Sequence, residues 1–191
     1  MKEDDLEAVL RANPVLAAVL DRVSFVGLPD RYLGAGAVAQ TVWNAAHGFA
    51  ADHAIKDYDV VYFDASDRGA EAEVAVGNRA AATLGDLDAR IDVTNEARVH
   101  LWYEDRFGVP LEPYRSAEDA IATWPTTATA VGVRPDPDGG GLVVCAPFGL
   151  ADLFGLVVRA NRVLVTEAVY RAKAERWEAT WPRLTVLDWQ G

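Results

Sequence analysis

The sequence predicts an α+β fold, a small mixed β-sheet flanked by helices. Three observations point there. The segment IKDYDVVYFD at 55–64 is rich in β-branched and aromatic residues, as strands are. Segments of helical period lie on both sides of it. Strand and helix signals also interleave along the chain, which leads to layers of mixed type. With 191 residues, 51% of them hydrophobic and 25% charged, the chain can bury a sufficient core without staples. Residues 1–191 are therefore expected to form a single domain, a helical extension over 1–22 preceding a core over 23–185.

Residues 3–12 and 14–22 read as two short helices separated by Asn13-Pro14, the proline suiting a first helical turn. The stretch VSFVGLPDRYLGAG holds a short extended piece leading into a glycine-rich turn at Gly34–Gly36. Val38, Val42 and Ala46 recur every four residues and predict a helix over 37–47, stopped by Gly48. A strand over 58–63 follows, then a polar turn and a helix over 70–85. RIDV at 90–93 predicts a second strand, after which Thr94 or Asn95 caps a helix reaching Arg106. Residues 116–122 predict another helix. Two strands over 127–134 and 142–146 flank the turn-forming RPDPDGGG. GLADLF predicts a short helix, and 166–180 a final one with Tyr170, Ala174, Trp177 and Trp181 on one face.

The net charge of −11 works against a long nucleic-acid partner, because such binding relies on Lys and Arg neutralising phosphates. The single cysteine, Cys145, allows no internal disulfide and suits a reducing compartment. Its apolar strand setting predicts a core thiol. The acidic start MKEDDLEAVL is unlike a signal peptide, and the longest apolar stretch, 141–160, is broken by Pro147, Asp152 and Arg159. These features predict a cytoplasmic protein with no membrane partner. His47, His53 and His100 lack metal-ligand spacing.

Three features bear on one chemistry. Asp57 and Asp59 fall at i and i+2 of a strand, so they share a face and repel each other. Such a pair suits a hard divalent cation, and a third carboxylate on a neighbouring strand, for which Asp92 is the candidate, completes a two-metal phosphoryl-transfer site. Taken alone, an Asp-x-Asp pair is more often a solvated strand edge. Asp64 points to the other face and reads as a turn residue. The second feature is the Gly34-Ala35-Gly36 turn opening a helix, whose amides are placed to cradle phosphate. The third is a helix face bearing Asn95, Arg98 and Trp102, where the Arg98 guanidinium matches phosphate oxygens and Trp102 faces the core.

In order, the blocks AGAVAQTVWN, DYDVVYFD, DVTNEARVHLWYEDRFG, IATWPTTATAVGVR and APFGLADLFGLVV resemble a bacterial nucleotidyltransferase-like family of unknown substrate. That family is a minimal member of the DNA polymerase beta-like nucleotidyltransferase superfamily, and the resemblance covers roughly residues 25–185. It implies the minimal fold of that superfamily, with Ala35 and Gly36 at the turn. It also implies Asp57, Asp59 and Asp92 as the catalytic and metal-holding acids, with Mg²⁺ or Mn²⁺ as cofactor. The activity implied is transfer of a nucleoside monophosphate from an NTP to an unknown small-molecule or protein acceptor. The turn is Ala-Gly where the superfamily has Gly-Gly or Gly-Ser. A catalytically degenerate nucleotide-binding or regulatory module of the same fold is therefore the alternative.

Overall fold

The computed structural model describes residues 3–191; Met1 and Lys2, the first residues of the expected helical extension, lie outside the described residues. Helices α1 (Glu3–Arg11) and α2 (Pro14–Arg22) form on either side of Asn13. The Asn13 side chain accepts hydrogen bonds from the Val15 and Leu16 amides at 3.1 and 3.0 Å, capping α2. Strand β1 (Arg31–Gly34) runs directly into α3 (Ala35–His47). Then come β2 (Asp57–Tyr62), α4 (Ala70–Leu84) and β3 (Arg90–Asn95).

A 3-10 segment, Glu96–Leu101, and the short α5 (Tyr103–Phe107) stand where one helix reaching Arg106 was expected. The reason is register. β3 stays extended to Asn95 because it pairs along the whole of β2, from Asp57↔Arg90 to Tyr62↔Asn95. Asn95 then caps the 3-10 turn by accepting from the Ala97 amide at 3.1 Å. Helix α6 (Ala117–Ile121) follows, and the hairpin of β4 (Gly132–Pro135) and β5 (Leu142–Cys145) is shorter at its start than expected. Residues Thr126–Thr129 are instead a turn closed on itself by the Thr126–Thr129 hydroxyl contact at 2.7 Å. The chain closes with α7 (Ala151–Phe154), β6 (Val157–Val158), α8 (Glu167–Thr180) and β7 (Thr185–Val186).

The main sheet has the order β3-β2-β1-β4-β5, parallel between β2 and β3 and antiparallel elsewhere. The expected mixed α+β architecture is the one found. Alternation divides the sheet into two faces. Leu33, Tyr58, Val60, Tyr62 and Val133 point into the large core with residues of α1 to α4 and α8. Tyr32 and Val61 point the other way, under Ala117 and Ile121 of α6. That second face also carries Asp57, Asp59 and Asp92. No described helix is long and apolar enough to cross a membrane.

Candidate active site

Register aligns the acids. Gly34 pairs with Gly132 on one side and with Asp59 on the other, and Asp59 pairs with Asp92. These four residues form one row across four strands, with their Cα–Cβ directions on the same face. Asp57 sits two residues before Asp59, opposite Arg90. The two glycines let α6 and the residues after it lie close to the sheet. A Cβ on Gly34 would stand 2.3 Å from the Trp124 ring, and one on Gly132 would stand 2.8 Å from Ile121.

Helix α3 starts at the end of this row, beside Asp59. No side chain caps its N-terminus, so the polar first turn that follows Gly34 stays without a side-chain partner. Ala35 adopts φ +53°, a left-handed conformation that is costly for a residue with a Cβ. Its amide donates to the Val131 carbonyl at 3.0 Å, which holds the turn in place.

The acids feel one another. Burial pushes the Asp59 carboxyl up to about 6, and the charges of Asp57 and Asp92 push in the same direction. Asp92 is held by Arg90, whose Nε donates to it at 3.0 Å and whose Nη2 lies 2.9 Å from its other oxygen. The structure therefore brings Asp57, Asp59 and Asp92 to one face. Among the described residues, no three His, Cys, Asp or Glu side chains converge into a ready-made metal cage.

The other two candidates are engaged elsewhere. Asn95, 2% exposed, lies on the opposite strand face and exchanges hydrogen bonds with the Asp64 backbone, both at 3.0 Å. Arg98 turns toward the start of α4, donating to the Gly69 carbonyl and lying 3.3 Å from Glu73. Asp64 organises a turn by accepting from the Ser66 amide at 2.9 Å. The Cys145 thiol is half-buried beneath α6 and pushed by burial up to about 11.

Sequence reasoning missed Glu96, Lys173 and Arg176. Glu96 follows β3 and is 5% exposed; burial, with the charge of Asp59 added, pushes its carboxyl up to about 8. Lys173 of α8 is drawn below the usual ammonium range by burial and by Arg176, against the pull of Asp59 and Asp57. Arg176, Trp177 and Gln40 line a cleft with Asp57. No local signal marks Lys173 and Arg176, because they lie more than eighty residues beyond Asp92. An acidic residue directly after a strand that carries Asp92 was the only available hint for Glu96.

A family model described as nucleotidyltransferase matches residues 21–186. The chain belongs to this nucleotidyltransferase family. Among solved structures, an NMR structure described as revealing a CCA-adding enzyme head domain has a TM-score of 0.78 and 21% identity. That match covers 98% of this chain and 96% of the other. The Thermotoga maritima CCA-adding enzyme complexed with tRNA has a TM-score of 0.54 at 16% identity, covering 98% of this nucleotidyltransferase and 43% of that chain. A CCA-adding enzyme in complex with CTP has a TM-score of 0.53 at 14% identity, covering 98% and 44%. At these identities the likeness establishes a shared fold. No curated protein matches the chain in sequence.

Proposed function

We propose that this nucleotidyltransferase moves a nucleoside monophosphate from an NTP to a small-molecule or protein acceptor, using a divalent cation held by Asp57 and Asp59. The observation that carries this reading is the row Gly34–Asp59–Asp92, with the uncapped start of α3 at its edge. An all-oxygen donor set suits Mg²⁺ or Mn²⁺. Asp59, raised to about 6 partly by two neighbouring carboxylates, is the kind of group that a cation stabilises. Asp92 is the third ligand or positioning acid of the site, in exchange for its present pair with Arg90. When bound, the cation supplies charge neutralisation on the triphosphate.

The chain's own groups supply the rest. The amides of the first turn of α3 after Ala35, from Gly36 on, receive phosphate oxygens, as at other helix N-termini. Lys173 and Arg176, facing the acids from α8, add positive charge at the open side. Asn95 and Arg98 support this site indirectly, by fixing the chain after β3. The net charge of −11 argues against a long nucleic acid as acceptor. The fold relative that binds tRNA is more than twice as long as the region it shares with this chain.

Thermal melts with MgCl₂ and each of ATP, CTP, GTP and UTP test the proposal. At a hundredfold excess over Kd, a bound nucleotide stabilises by about 2.7 kcal/mol. The melting temperature of the wild type is expected to rise with at least one NTP, and that of Asp57→Asn to stay put. Equal responses in both proteins overturn the assigned site. The Asp92–Arg90 pair and the missing turn hydroxyl favour a second reading, a nucleotide-binding module without turnover. Binding without pyrophosphate release selects it.

A further inference from the structure

The sheet face that carries the acid row continues past Asp92. Two residues on, Thr94 shares that face and lines a cavity of about 360 Å³. This volume is within the range of small-molecule sites. Five rings stand in its wall: Trp102, Tyr103, Phe107, Tyr114 and Trp124. The charged groups lining it are Glu96 and Lys173.

The cavity abuts both the acid row and the Gly34 turn. Lys173 lies close enough to Asp57 and Asp59 to feel both charges, so the cavity adjoins the acid row. Trp124 lines the cavity and also covers the Gly34 turn, so cavity and turn share a wall. Glu96 lines the cavity and feels the charge of Asp59. It is 5% exposed, and among the described residues no hydrogen bond compensates its carboxyl. A carboxyl this deeply set without a protein partner is costly to ionise, and its oxygens reach the cavity rather than the packed interior. A bound molecule with a hydrogen-bond donor supplies the missing partner, while a flat body stacks on the rings.

We propose that this cavity is the acceptor subsite, and that it takes a small aromatic alcohol whose hydroxyl is received by Glu96. The proposal rests on the nucleotidyl-transfer reading. In the transfer, the acceptor oxygen forms a bond to the α-phosphorus of the NTP. The bond from that phosphorus to the bridging oxygen breaks, pyrophosphate leaves with the electron pair, and the hydroxyl proton passes to Glu96 in its ionised form, which is populated as pH rises toward about 8.

Indole-3-ethanol and 3-ethylindole, which lacks the hydroxyl, serve as paired probes for calorimetric titration of the full chain. Wild type is expected to bind the alcohol about tenfold more tightly, the worth of one hydrogen bond to a carboxyl group. Glu96→Leu is expected to erase that difference. Val169→Trp, at a cavity-lining position that is 39% exposed, is expected to weaken both probes without unfolding the protein. Equal binding of the two probes to wild type, absence of binding, or indifference to Val169→Trp each overturns the subsite. The Mg²⁺-plus-NTP melt, run on the same variants, separates the two readings. If the probe pattern holds but no NTP stabilises the protein, the cavity stands and nucleotidyl transfer falls. If NTPs stabilise and the probes fail, only the subsite falls.

Discussion

Glu96 and Asp59 are carboxyls that the fold burdens rather than rewards. Both are raised above their ordinary range, Glu96 from 4.5 to about 8 and Asp59 from 3.8 to about 6, with burial as the first cause. The folded protein therefore holds protons that the unfolded chain has released. Stability from these groups is full below their unfolded values and falls as pH rises toward the folded ones. For Glu96 that window runs from 4.5 to about 8. Glu96→Gln is expected to flatten the fall, leaving the variant more stable than wild type at pH 8 by on the order of 3 kcal/mol, with little difference at pH 5. Urea midpoints at the two pH values measure it, and parallel curves for both proteins would show that Glu96 is not the burdened group. Gly34 is constrained differently: Trp124 stands where its Cβ would be.

Helix α8 shows how an element far along the chain shapes the site. Thr166 caps it, accepting from the Val169 amide at 3.4 Å, and Tyr170 anchors it by donating to the carbonyls of Val158 and Leu187 at 2.9 and 2.6 Å. The expected face of Tyr170, Ala174, Trp177 and Trp181 is buried. Trp43 of α3 meets Trp177 and Trp181 edge-on, each at 5.4 Å. Trp181 also donates to the Asn44 side chain at 2.7 Å, and Asn44 donates to the carbonyls of Ala51 and His53 at 3.1 and 2.9 Å. Asn44 thus ties α8 to the loop that leads into β2 and Asp57. Asn44→Ala is expected to cost about 2–4 kcal/mol by orphaning the Trp181 indole N–H and the His53 carbonyl, while the Ala51 carbonyl keeps its bond from Asn13. Trp181→Phe is expected to cost about 1–3 kcal/mol, and the double variant less than the sum, since the two share one hydrogen bond. Chemical denaturation of the four proteins tests this, and strict additivity would break the link.

The whole molecule is a sheet with one face sealed into the core and the other carrying the acid row and the aromatic cavity. Helices α1 to α4 seal the first face; α6, the loops after β3 and one side of α8 leave the second partly open. The charge follows the same economy of space: 29 acidic against 18 basic residues leave a net −11. Self-repulsion of that size opposes compaction and is screened by salt. Raising NaCl from low to physiological concentration is expected to raise the melting temperature by a few degrees at pH 8. The gain is expected to be smaller at pH 5, where part of the acid charge is titrated. A melting temperature indifferent to salt at pH 8 argues against repulsion on this scale.

Much of this was legible from the residues alone. Asn13-Pro14 announced the break between α1 and α2, the four-residue period of Val38 and Val42 announced α3, and strand alternation placed Asp57 and Asp59 together but not Asp64. These are local matters of backbone geometry and side-chain period, which neighbours in sequence decide. The blocks of the nucleotidyltransferase family were visible for the same reason. Only the tertiary structure decided that Asp59 and Asp92 share a row, that Arg98 turns away to Glu73, and that Glu96, Lys173 and the aromatic cavity adjoin the acids. Those relations join segments from 25 to more than a hundred residues apart. Their register is set by which faces find a common core, and no local pattern carries that information.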